Sequence, residues 1–169
     1  MNYKVMKKAG LKVIGFEKEI DVSQSSALIP KFWDEIYDKY VSVLSSGKAP
    51  KNALEQAIVR HHIGDFGICV DGGKDTLRYI IGGEYRAGDV PEGMTVYTFD
   101  ECEWAVFDSF GPMPEAIQSL SDQIYREWLP GNPDFELAGN ANVEWYDPAC
   151  PDQSASDYHA AVWIPVKRK

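Results

Sequence analysis

Apolar and polar positions along this chain keep two rhythms in turn, a strand-like period of two and a helix-like spacing of three and four. Residues 13–20 are rich in β-branched and aromatic side chains and predict a strand, followed by a polar connector over 21–26. Pro30 suits the first turn of a helix, and Phe32, Trp33, Ile36, Tyr37, Tyr40 and Leu44 follow at helical spacing. Gly47 and Pro50 end that helix, and residues 52–59 predict a short second one. Residues 66–70 and 77–85 read as two strands of a hairpin closed by Asp71-Gly72-Gly73. A linker with Gly88, Pro91 and Gly93 precedes further strands at 94–100 and 104–110, with a turn at 101–103. Pro114 opens another helix, whose apolar face carries Ile117, Leu120, Ile124 and Trp128 before Pro130 and Gly131 stop it. Residues 132–142 read as loop with a short extended piece, 143–146 as a strand, 148–157 as a polar, mobile loop and 158–166 as the last strand. Pro165 places that strand at an edge or a terminus.

The order strand, helix, strand, strand therefore occurs twice. Asp34-Glu35-Ile36-Tyr37-Asp38-Lys39-Tyr40 recurs as Asp122-Gln123-Ile124-Tyr125-Arg126-Glu127-Trp128, with strand-like runs flanking both copies. The expectation is a single domain over residues 1–169, built as an α+β fold with an antiparallel sheet. Its two halves, about 1–90 and 91–169, would be related by a pseudo-twofold axis and leave a central ligand groove at their junction.

Composition narrows the function classes. With 44% hydrophobic residues in 169, the chain can bury a sizeable core. A net charge of −9 disfavours nucleic acid and is compatible with a cationic ligand. The basic run Lys167-Arg168-Lys169 is expected to solvate a strand end. Three cysteines, Cys69, Cys102 and Cys150, show no paired spacing, which fits a reduced, cytoplasmic setting without structural zinc. His61 and His62 are adjacent and so do not share a face, and His159 stands alone, so no metal site is expected. There is no signal peptide and no apolar run of membrane-spanning length, so no membrane association is expected.

Glu144 is the most informative single residue. It lies inside the apolar strand 143–146, where Glu144 and Tyr146 share one face and Val143 and Trp145 the other. The Val143/Trp145 side is expected to meet the helices, leaving Glu144 and Tyr146 to project into the groove. The first half has Ile68 at the matching position, so the acid belongs to one half only. A carboxylate among rings needs compensation, which a bound cation supplies through charge pairing and cation–π attraction; alternatively Glu144 points to water from an exposed sheet face. The five tryptophans, nine tyrosines and seven phenylalanines leave a similar choice. Trp104, Tyr125, Trp145 and Trp163 suit either core or pocket wall. Catalytic signatures are absent: there is no GxSxG, HExxH or phosphate loop, and Gly82-Gly83 is too little for a nucleotide fingerprint. No catalytic residue and no cofactor are expected, although Glu144 and Tyr146 form an acid–base pair in principle.

Val13-Ile14-Gly15-Phe16, Ile29-Pro30-Lys31-Phe32-Trp33, Trp104-Ala105-Val106-Phe107 with Gly111, Val143-Glu144-Trp145-Tyr146 and Val162-Trp163-Ile164-Pro165-Val166-Lys167 run in an order that resembles the effector-binding domain of AraC-type transcription activators, also called the gyrase-inhibitor-like domain. The chain resembles in particular the stand-alone cationic-drug-binding modules of that family carried on bacterial mobile gene cassettes. The resemblance implies a two-half α+β fold and an inward acid that pairs with lipophilic cations, which falls on Glu144. Its aromatic walls would be Trp163, Tyr125, Trp104 and Tyr146, with Trp33 and Phe66 behind them. Relatives often carry a helix-turn-helix reader; this chain leaves no room for one, so no direct nucleic-acid contact is expected. The expected ligand is a cationic lipophilic small molecule, sensed or sequestered. The alternatives are a small hydrolase of strained cyclic compounds using Glu144 and Tyr146, or a protein-interaction module acting on gyrase or a transcription partner, with a homodimer also open.

Overall fold

A computed structural model describes residues 1–169, apart from the side chains at 41 and 42. In chain order the elements are β1 (Lys4–Lys8), β2 (Leu11–Asp21), α1 (Ser25–Leu44), α2 (Ala53–Arg60), β3 (Phe66–Asp71), β4 (Thr76–Glu84), β5 (Thr95–Phe99), β6 (Cys102–Phe110), α3 (Glu115–Gln123), β7 (Phe135–Leu137), β8 (Ala141–Tyr146) and β9 (His159–Arg168). The fold is α+β with antiparallel strand ladders, as the pattern of strands and helices predicts. The chain forms two compact units, one of residues 11–98 and one of residues 1–10 with 99–169. Each contains the order strand, helix, strand, strand.

In the unit of residues 11–98 the strand order is β3-β4-β2-β5. Phe16 pairs with Ile81, Ile20 with Leu77 and Cys69 with Tyr79, which places these side chains on one sheet face. That face meets Phe32, Ile36, Tyr40 and Val43 of α1 in one buried cluster. The Tyr40 ring stacks on Phe16 at 5.0 Å, and α1 leaves helical geometry at Tyr40. The helix starts earlier than Pro30 implies. Asp21 accepts a hydrogen bond from the Ser23 backbone N–H at 2.8 Å and caps a tight turn that runs into Ser25, so Pro30 sits inside α1. Lacking an N–H, it forfeits one helical hydrogen bond there.

The opposite face of this sheet is also buried, with Val13, Ile68, Val70 and Ile80 on it. Ile68 pairs with Ile80 and therefore points away from α1, while Gly67, Cys69 and Asp71 point toward it. Gly82 and Gly83 serve backbone packing. Gly82 pairs with Gly15, and a Cβ built on Gly83 would overlap the carbonyl oxygen of His61 at the end of α2. His61 is fully buried and parallel to Tyr85 at 5.3 Å, and its Nδ1 accepts the Arg86 backbone N–H at 3.0 Å.

In the other unit the order is β1-β6-β9-β8, with β7 beside β9. β1 was not evident from the sequence because three of its five residues are lysines and its side chains are largely exposed, the composition of an edge strand. α3 packs on β6 and β9 and buries Ile117 and Ile124. It then widens into a π-helical turn over Ile124–Trp128 and closes with Leu129–Gly131. Trp128 meets Phe107 edge-on at 4.9 Å and Tyr3 at 4.8 Å. Both units thus seat the last aromatic of the repeated helical motif, Tyr40 or Trp128, on a phenylalanine of their leading strand. Among the described residues no helix is long and apolar enough to cross a membrane, and Cys69, Cys102 and Cys150 form no disulfide.

Two outcomes follow from this packing. Gly83→Ala should destabilise the protein by about 1–3 kcal/mol or more in urea unfolding, because the His61 backbone cannot yield as a flexible side chain would. Burial, and after it the charge of Arg60, holds the His61 pKa below its ordinary value of 6.5. The unfolded chain therefore takes up a proton that the folded one refuses, so the His61 contribution is present above pH 6.5 and is lost as pH falls below it. Thermal unfolding of wild type and His61→Gln between pH 7.5 and 5.5 should show the steeper acid loss in wild type; parallel curves would contradict it.

Candidate functional site

Strand register decides which of the candidate residues stand together. On β8, Glu144 lies opposite Val162 of β9, and Val162 lies opposite Phe107 of β6. Directly opposed residues share a face, so Glu144 is on the face that carries Phe107 and, through it, the Trp128 end of the helix. The expectation that Val143 and Trp145 face the helix is therefore reversed: Val143 pairs with Trp163, and both point the other way. The helix-bearing face carries Ala105, Phe107, Val162 and Ile164, all fully buried, with Glu144 as the carboxylate on it. The supposed match between Ile68 and Glu144 is out by one residue for the same reason. Toward their own helices, β8 presents Asn142, Glu144 and Tyr146 where β3 presents Gly67, Cys69 and Asp71.

Glu144 is half-buried, and the Tyr146 hydroxyl donates to its Oε2 at 2.8 Å. Two residues apart on a strand, they are held at the spacing of one pleat, so backbone geometry alone sets this pair. The hydroxyl orients the carboxylate and satisfies one of its lone pairs, while a carboxylate oxygen can accept more than one donor. The arrangement supplies a fixed negative charge beside rings and aliphatic side chains, the environment in which a partly desolvated cation interacts most strongly.

The other expected wall residues are placed as follows. Trp104 is 1% exposed and meets Trp163 edge-on at 6.3 Å, on the sheet face opposite Glu144. The Trp163 ring already carries a cation there, because Lys8 Nζ lies 4.8 Å from its centroid. A second cation on that ring would meet the lysine's charge. Tyr125 is 41% exposed and follows the fully buried Ile124 in the π-helical turn. Trp33 and Phe66 belong to the unit of residues 11–98. Trp33 Nε1 donates to the Tyr79 hydroxyl at 3.0 Å beneath α1, and Phe66 pairs with Gly82 on the sheet face turned away from α1.

The structure brings to the face of Glu144 several residues that sequence reasoning did not single out: Tyr3, Phe107, Trp128 and Asn142. Tyr3 and Phe107 lie 5.4 Å apart and share Trp128, a three-ring cluster. The repeat did signal Trp128, as the counterpart of Tyr40. Nothing in the sequence tied Tyr3 to Phe107, since their strands meet only through pairing of β1 with β6. His159, isolated in the sequence, meets Asp108 Oδ1 at 2.9 Å and stacks under Phe110 at 4.7 Å, on the face away from Glu144. Among the described residues, no group of His, Cys, Asp or Glu is arranged to hold a metal ion.

Comparison with known proteins shows where this fold recurs. SAV2435, solved bound to tetraphenylphosphonium, superposes with a TM-score of 0.76 at 21% identity, covering 99% of this chain and 94% of that one. A Staphylococcus aureus protein described as a putative bacterial transcription regulation protein matches with a TM-score of 0.70 at 22% identity over 99% of both chains. An integron cassette protein from the mobile metagenome of Vibrio cholerae matches at 0.65 and 11% identity, over 98% of this chain and 95% of that one. At these identities the likeness is one of fold. No curated protein sequence matches the chain. The family described as integron-associated effector binding protein matches residues 4–166, nearly the whole length, and the chain belongs to that family.

Proposed function

We propose that this protein binds lipophilic cations on the helix-bearing face of its β6-β9-β8 sheet, as a sensing or sequestering module, with Glu144 selecting for positive charge. The observation that carries the reading is a half-buried carboxylate, oriented by the Tyr146 hydroxyl at 2.8 Å, on a face otherwise floored by aliphatic and aromatic side chains. Membership of an effector-binding family supports small-molecule binding, and the tetraphenylphosphonium held by SAV2435 supports a cationic, apolar ligand class.

The division of labour is physical. Apolar contact contributes about 25 cal/mol per Å² buried and does not discriminate among greasy molecules of similar shape. Charge pairing discriminates, because a neutral isostere of the cation gains no attraction from the carboxylate. Tyr146 is the wall residue placed to act with Glu144; the Trp104–Trp163 pair with Lys8 stabilises the far side of the sheet. A second reading rests on the same hydrogen bond, since a tyrosine donating to a carboxylate is also an acid–base pair able to open a strained ring. It is separable by turnover: product formation that disappears in Glu144→Gln would favour it over binding alone.

The binding reading predicts that Glu144→Gln weakens a cationic aromatic dye about tenfold to a hundredfold, the loss of one charge-assisted contact, and leaves its neutral analogue of equal shape within about twofold. Fluorescence titration of both dyes against both proteins checks it, and equal losses for the two dyes would remove charge selection.

A further inference from the structure

Resting on the reading of Glu144 as a ligand site, we propose that Asn142 is a specificity-determining residue of that site, an acceptor that favours cations carrying N–H donors over permanently alkylated ones. Asn142 stands two residues before Glu144 on β8, so the pleat puts Asn142, Glu144 and Tyr146 in a row on one face. The asparagine is 6% exposed, and its Oδ1 is closed to solvent with no hydrogen-bond partner among the described residues. An acceptor buried without a donor destabilises the fold, and an apolar residue of similar size would relieve it. Its strand neighbours Ala141 and Val143 are buried and apolar, and the ladder to β9 is carried by backbone groups. An amide oxygen held at such a place is suited to a donor that arrives with a ligand.

The three side chains differ in what they offer. Glu144 supplies charge, Tyr146 spends its hydroxyl proton on Glu144, and Asn142 Oδ1 has lone pairs to give. A protonated amine can set its N–H toward the amide oxygen while Glu144 answers its charge. A quaternary ammonium or phosphonium has no such proton and gains only from the charge. The ligand class assigned to this chain is therefore the protonated lipophilic amine.

The experiment compares one pair of probes, (2-naphthylmethyl)dimethylammonium and (2-naphthylmethyl)trimethylammonium, which differ by N–H against N–CH₃. Isothermal titration calorimetry is run on wild type, Asn142→Leu and Glu144→Gln. Wild type should bind the dimethyl cation about tenfold more tightly than the trimethyl one, the yield of one charge-assisted hydrogen bond. In Asn142→Leu the ratio should fall to about one, with the trimethyl affinity unchanged and the melting temperature unchanged or raised. Glu144→Gln should weaken both cations. A ratio of one in wild type, or the same preference in wild type and Asn142→Leu, overturns the role of Asn142 and leaves the Glu144 reading standing. Failure of both cations to bind wild type overturns both. Should Asn142→Leu not fold, Asn142→Ala reads the same ratio, and an undiminished preference there is equally adverse.

Discussion

A carboxylate on an apolar sheet face persists only if something answers its charge, and that constraint organises the face of the sheet that carries Glu144. Here the answer begins with the Tyr146 hydroxyl, fixed at 2.8 Å by the pleat of a single strand. That donor fixes the orientation of the carboxylate on its sheet face. Phe107 and Val162, both fully buried, make the surroundings of that face apolar, which strengthens the field that Glu144 presents. On the opposite face of the same unit, Lys4 lies 3.7 Å from Asp108 and Lys8 lies over Trp163.

The scaffold that holds this face rests on a repeated helix-on-sheet contact. In each unit the helix brings an aromatic ring onto a phenylalanine of the leading strand, Tyr40 on Phe16 and Trp128 on Phe107. In each, helical geometry departs from the regular α form at that ring, by non-helical dihedrals at Tyr40 and by a π-helical turn ending at Trp128. Such turns often accompany functional sites because they redirect side chains that a regular helix would place elsewhere. Trp128, redirected in this way, borders the face that carries Glu144.

The chain shares its family and its fold with proteins of very different sequence. Relatives at 11–22% identity preserve the architecture over nearly the entire chain, while most side chains differ. A broad apolar floor with one charge is tolerant of such change, since affinity by area depends on shape and selection depends on few polar atoms. Asn142, Glu144 and Tyr146 form a polar row on one face of β8.

Much of the architecture was legible before any coordinates. Period-two runs and three-four spacing marked the long strands and both principal helices, and the recurrence of the 34–40 motif at 122–128 marked the doubled element order. The pairing of Glu144 with Tyr146 was also legible, because residues two apart on a strand share a face by local geometry alone. What the sequence could not decide was which face that is. The apolar Val143 and Trp145 looked like the helix side, but both faces of these sheets are buried, so hydrophobicity no longer distinguishes them. Nor could it place β1, a lysine-rich edge strand joined to β6 only by backbone pairing, or set Trp163 against Lys8. Local periodicity is a property of neighbours in the chain, whereas register and face are settled by hydrogen bonds between strands far apart in sequence, and a shift of one residue there turns every side chain over.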